Sequence, residues 1–211
     1  MNVSPSKENI LKKIRKALSN STPLPFPQSE GNSLVFQPSK QELEVEFAEQ
    51  FTKLQGRFAF CLNFGELAIQ LNELLANEKW DKIYCRETGL VQELKAAGFN
   101  TEYYNDLASC DAGITTCEAL VARTGSIILS AGQQSGRTVS VYAPVHICIA
   151  RTRQLVYDIK DALQVVKERY GDHLPSLISL ATGPSRTADI EKTLVVGVHG
   201  PGKVYIFLVD E

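Results

Sequence analysis

Apolar residues recur along this chain with two different periods, and each change of period marks the edge of an element. Residues 4–18 carry Ile10, Leu11, Ile14, Ala17 and Leu18 at helical spacing, with Ser4 placed to cap and Pro5 suited to the first helical position. The other face holds Lys7, Lys12, Lys13, Arg15 and Lys16. Such a helix could anchor on an anionic membrane or an acidic partner, but it has no Trp or Phe to insert, so a solvated face on a docking helix is the preferred reading. Residues 20–33 follow with Pro23, Pro25, Pro27 and Gly31, a composition that favours an extended linker. The predicted organisation is an amphipathic helix over 1–20, a proline-rich linker over 21–38 and an α/β domain over 39–211.

From about residue 40 the pattern becomes regular. Leu43, Phe47, Phe51 and Leu54 share a helical face, Gly56 stops it, and 58–62 reads as a strand. Leu67, Leu71, Leu74 and Leu75 define a second helix, followed by a strand over 83–85, a helix over 90–97 closed by Gly98, and a short strand over 101–104. This alternation predicts βαβ crossovers, hence parallel strands, with ligand sites at loops beyond their carboxyl ends. In the second half, strand-like runs at 126–130 and 144–150 are joined by the polar stretch 132–137 with no helix between them, which predicts a loop or hairpin insertion. A helix over 158–170 and two buried strands, at 177–180 and 204–209, complete the reading. The predicted fold class is α/β, a mostly parallel sheet flanked by helices.

Composition narrows the function. With 44% hydrophobic and 22% charged residues the 211-residue chain falls in the globular range, which excludes disordered and collagen-like classes. Lys and Arg number 22 against 24 Asp and Glu, so no global field would hold a polyanion and nucleic acid is not an expected partner. Cys61, Cys85, Cys110, Cys117 and Cys148 form no Cys-x-x-Cys pair, and three of them sit in apolar runs, which points to reduced, cytoplasmic thiols. Clustered thiolates for iron–sulfur binding and paired ligands for structural zinc are both missing, so no metal or cofactor is expected in this chain. There is no signal-peptide core, and no window approaches the roughly 18 apolar residues of a membrane helix. A cytoplasmic protein with no membrane span is therefore expected.

Two loops concentrate candidate chemistry. Residues 183–191 bring Gly183, Ser185, Arg186, Thr187, Asp189 and Glu191 together after a strand, a set suited to holding a carboxylate, carbonyl or phosphate oxygen. A capped turn with Asp189 paired to Arg186 is the bland alternative. Residues 197–202 surround His199 with Gly197, Gly200 and Gly202, which makes His199 the best acid–base candidate, with a mere positioning role as the alternative. The two loops are expected to meet over one crevice, each abutting a strand of the same sheet, with Arg186 supplying charge, Ser185 and Thr187 orienting the ligand, and His199 within reach. Thr124, Gly125 and Ser126 could face a ligand or simply form a turn, and Arg137 is a second cation that could close over an anion. His146, inside an apolar run, reads as a hydrogen-bonded core histidine, and His173 as a surface loop residue.

Gly113-Ile114-Thr115, Thr124-Gly125-Ser126, Pro144-Val145-His146-Ile147, the loop from Gly183 to Glu191 and Gly197-Val198-His199-Gly200-Pro201, in this order, resemble the LUD-domain family in its lactate utilization C branch. The resemblance covers roughly residues 40–210, and the basic first helix is similar to the start of bacterial members. It implies a NagB/RpiA/CoA-transferase-like fold, a group that also holds the formyltetrahydrofolate cyclo-ligases. It further implies a cytoplasmic, non-redox subunit that helps oxidise L-lactate to pyruvate beside two iron–sulfur partner proteins, which would carry the clusters. Where the family pattern has an acidic residue before Thr-Gly this chain has Arg123, which weighs against a mechanism needing a carboxylate there.

Three functions compete on this reading. The first is the lactate-system subunit, binding a small carboxylate, another anionic ligand or an organic cofactor through Ser185, Arg186 and His199. The second is a stand-alone transferase, isomerase or ATP-dependent ligase acting on an anionic metabolite, with Asp189 or Glu191 as base. The third is a structural or regulatory protein that organises its partner subunits and does no chemistry.

Overall fold

The computed structural model describes residues 5–18, 38–39, 41–188 and 194–211. The chain falls into two units, Met1–Pro38 and Ser39–Glu211. In the first, helix α1 spans Pro5–Leu18.

The second unit begins with α2 (Leu43–Lys53), whose Phe47 and Phe51 lie one turn apart, fully buried, with rings stacked at 5.5 Å. Strand β1 (Arg57–Cys61) leads into α3 (Phe64–Glu78), which Asn63 caps by accepting from the Glu66 backbone N–H at 3.0 Å. Then come β2 (Ile83–Tyr84), α4 (Thr88–Ala96), β3 (Ala112–Thr115), β4 (Ala119–Val121), β5 (Ser126–Ser130), α5 (Val139–Tyr142) and β6 (Val145–Arg151). The remaining elements are β7 (Leu155–Val156), α6 (Ile159–Tyr170), β8 (Ile178–Ala181), β9 (Arg186–Ala188), β10 (Leu194–Val196) and β11 (Lys203–Val209).

The central sheet has the order β1-β11-β6-β3-β2, and every pairing in it is parallel. One face packs Ile114, Ile147 and Phe207 against Leu67, Leu71, Leu90 and Leu94 of α3 and α4. The other packs Cys148, Ile206 and Leu208 against Phe47 and Phe51 of α2 and against Leu120 and Ile127 of a second sheet, ordered β7-β4-β5-β8. Helix α6 covers the far side of that second sheet through Ala162 and Val166. Strands buried on both faces read as continuous apolar runs, and β6 and β11 do so. The α/β class with a mostly parallel central sheet is as the alternation predicts.

Several details differ from the sequence reading. Residues 101–104 form no strand; Tyr103 makes a single bridge to Ile83. The stretch joining 126–130 to 144–150 contains α5, a single turn too short for a periodic signal. The strand expected at 177–180 is β8, antiparallel to β5 at the end of the second sheet, with Leu177 and Leu180 exposed. All five cysteines are free, and burial pushes the Cys85 thiol up to about 12. Among the described residues no helix is long and apolar enough to cross a membrane.

Candidate functional site

Strands β9 and β10 form an antiparallel hairpin in which Arg186 faces Val196 and Thr187 faces Val195. Its base is locked by the Ser185 N–H donating to the Pro201 carbonyl at 2.9 Å and the Gly197 N–H donating to the Ser185 carbonyl at 3.0 Å. The Gly202 N–H donates to the Pro144 carbonyl at 2.9 Å, which ties the second loop to the entry of β6. Residues 183–188, the described part of the first loop, therefore meet the second, but for a different reason than the sequence suggested. Gly183 follows β8 of the second sheet, whereas 197–202 leads into β11 of the central sheet, so hairpin pairing brings them together rather than a shared sheet. The meeting point is also at the amino ends of β6 and β11, opposite to the carboxyl-end rule for parallel strands.

There an open cavity of about 270 Å³ is lined by His146, Thr182, Gly183, Ser185, His199 and Gly200 together with Ser140 and Val141 of α5. Gly200 makes this approach possible, since a Cβ on it would lie 2.9 Å from the Ser185 Cβ. Among the described residues the lining offers hydroxyls and imidazoles but no Lys, Arg, Asp or Glu. His146 sits on β6 with 1% of its surface exposed, and its Nε2 lies 2.8 Å from the Thr115 Oγ1. Burial pushes its pKa down to about 4, so the ring is neutral at physiological pH. His199, by contrast, is an exposed loop residue. Both rings border this cavity, so a small polar ligand in it could hydrogen-bond to either.

The other candidates are placed as follows. Arg186 donates to the Leu54 carbonyl, and neither it nor Thr187 is among the residues lining the cavity. Asp189 and Glu191 lie outside the described residues. Gly197 borders a neighbouring cleft of about 430 Å³ with Tyr142, Val198 and His199. Arg137 donates to the Ser176 hydroxyl on an exposed surface. Thr124 and Ser126 bond each other at 2.7 Å, and the Ser126 hydroxyl reaches Thr182 at 2.9 Å, so this motif touches the cavity only through Thr182. Gly125 has φ +60°, and a Cβ on it would lie 2.6 Å from the Phe51 backbone N, so this glycine lets the turn lie against α2. Arg123 pairs with Asp158 at 2.6 Å, and Asp158 caps α6. A carboxylate at 123 could not make that pair.

Sequence reasoning missed Thr182, Ser140 and the cavity-facing side of His146. One signal was available, a lone polar residue in an otherwise apolar strand. It also missed Glu118, fully buried, which accepts from Ser130 at 2.5 Å, from Tyr170 at 2.7 Å and from Arg169.

The sequence profile of the LUD domain matches residues 6–209. Lactate utilization protein C of Bacillus licheniformis is 38% identical over 101 residues, 47% of this chain and 42% of that protein. The Geobacillus sp. protein of the same name is 41% identical over 101 residues, 46% of this chain and 42% of its own length. An uncharacterized protein of Neisseria meningitidis, NMB1437, is 32% identical over 111 residues, 53% of this chain and 46% of that protein. The matched stretches thus span less than half of these relatives. In structure, a DUF162 family protein from Deinococcus radiodurans superposes with a TM-score of 0.60 at 21% identity, covering 82% of this chain and 99% of that one, which is a likeness of fold.

Proposed function

The chain belongs to the LUD-domain family, and from that premise we propose that it serves lactate utilization as a non-redox subunit whose cavity holds a small 2-hydroxy or 2-oxo acid. The relatives named lactate utilization protein C support the process. The cavity itself carries the ligand class: about 270 Å³ suits a molecule of a few heavy atoms, and its hydroxyls and imidazoles match a ligand rich in oxygen. Ser185 and Thr182 would donate to the carboxylate, and His199 would face the 2-oxygen. The iron–sulfur groups that accept electrons in this scheme belong to two partner proteins.

Thermal unfolding of the purified chain with L-lactate, pyruvate, acetate or phosphate tests the reading. Lactate or pyruvate at a hundred times its dissociation constant should stabilise by about 2.7 kcal/mol, and acetate far less. His199→Ala and Ser185→Ala should remove the shift. Equal shifts with phosphate, or shifts that survive both substitutions, would overturn it.

A further inference from the structure

The central sheet ends at β1, and among the described residues no strand covers the outer edge of that strand. An open edge leaves backbone N–H and C=O groups ready for pairing, and proteins normally blunt it. Here the edge is flanked by clefts on both sides. On the α3 side a cleft of about 540 Å³ is bordered by Arg57, Ala59, Leu74 and Asn77. On the α2 side one of about 790 Å³ is bordered by Val45, Phe58 and Phe60 and by the carboxylates of Glu42, Glu44, Glu49 and Asp210. Val45 and Phe60 stay 45% and 40% exposed, an apolar floor without a cover.

Two properties of this place define what fits it. Side chains of a strand alternate between faces, and β1 shows the alternation: Ala59 and Cys61 join the α3-side core, while Phe58 packs on the Phe47 ring at 5.9 Å. A strand laid beside β1 would alternate in register, so its side chains would enter the two clefts in turn. The charge is also one-sided. Among the described residues none of the four carboxylates in the α2-side cleft is in an ion pair and no Lys or Arg lines that cleft. A long basic side chain would lay its methylenes on Val45 and Phe60 and carry its charge to the carboxylates.

We propose that the open edge of β1 receives an extended segment of a partner protein in which every second residue is Lys or Arg, directed into the α2-side cleft, and the residues between are small and apolar. Backbone pairing would give affinity, and the acidic cleft would set direction and choice of partner. This surface is separate from the His146–His199 cavity.

The probe is a synthetic ten-residue peptide alternating lysine and valine, titrated against the full chain by fluorescence anisotropy, with amide hydrogen exchange as a second readout. It should bind, slow exchange of the outward amides of β1 and leave β2 unchanged. A glutamate–valine peptide, or the lysine–valine peptide with a central proline, should not bind. Glu44→Lys with Glu49→Lys, at unchanged melting temperature, should weaken binding roughly tenfold or more, as removal of charge complementarity does. Equal binding of the acidic peptide, indifference to the charge reversal, or binding without protection of β1 would overturn the proposal. So would failure of the full chain to bind, with the edge taken by its own residues or, as sedimentation would show, by a second copy.

Discussion

Glu118 and His146 are both polar, both nearly inaccessible, and carried by neighbouring parts of the fold, yet their surroundings differ in kind. Both oxygens of Glu118 are engaged, one by Ser130 and Tyr170 and the other by Arg169. His146 has a partner for one ring nitrogen, Thr115, and its ring borders a cavity. Burial therefore does not separate a structural polar group from one that can meet a ligand. Saturation does, because a fully partnered carboxylate has nothing left to offer, whereas an imidazole that borders a cavity does.

The contrast can be broken most forcefully at Glu118. Glu118→Ala leaves the Ser130 and Tyr170 hydroxyls without their acceptor, while the half-exposed Arg169 turns to water, and should cost about 3 kcal/mol, read as a lower denaturant midpoint at unchanged slope. A loss below about 1 kcal/mol would show the cluster to be dispensable. His146 gives the next largest effect, and it depends on pH. Its folded pKa of about 4 lies below the ordinary 6.5, so between those values the unfolded chain takes up the proton first. Stability should accordingly fall as pH drops from 6.5 towards 4, by up to about 3 kcal/mol from this group, and His146→Gln should flatten that part of the profile.

Smaller effects sharpen the comparison. Gly125→Ala places a Cβ against the Phe51 backbone at positive φ and should cost about 2 kcal/mol, with any bound ligand held as before in the folded fraction. Loss of ligand binding without loss of stability would instead return Thr124-Gly125-Ser126 to the site. His199→Ala should move stability by no more than about 0.5 kcal/mol while removing the response to lactate. A large destabilisation would mean that the loop histidine is a structural part after all.

How much of this was legible in the sequence follows from how local each determinant is. Phe47 and Phe51, Leu67 and Leu71, and the apolar runs of β6 and β11 declare themselves within one or two turns or a few strand residues, and these elements were readable. The meeting of residues 183–188 with 197–202 was also readable, from their clustered polar residues and glycines. Its cause was not, because the β9–β10 hairpin rests on three-residue strands too short to show a period. The Arg186 bond to the Leu54 carbonyl lies 132 residues away along the chain, beyond any local pattern. Thr182 and Ser140 join the cavity through α5 and the end of β8, which only the packed fold brings beside His146.

The position of β11 has a consequence for how the chain reaches its folded state. Among the described strands of the central sheet it comes latest in sequence, yet it lies between β1 and β6, and its Tyr205 pairs in register with Arg57. During synthesis β1 has no neighbour in the central sheet until residues 203–209 arrive, and such long-range parallel pairing is slow. A ribosome stalled before that point holds a species whose β1 and β6 face each other across an empty slot, apolar and ready to pair with any other chain. Completion of the fold should thus come in one late step, and truncation within β11 should yield aggregate rather than a smaller stable domain.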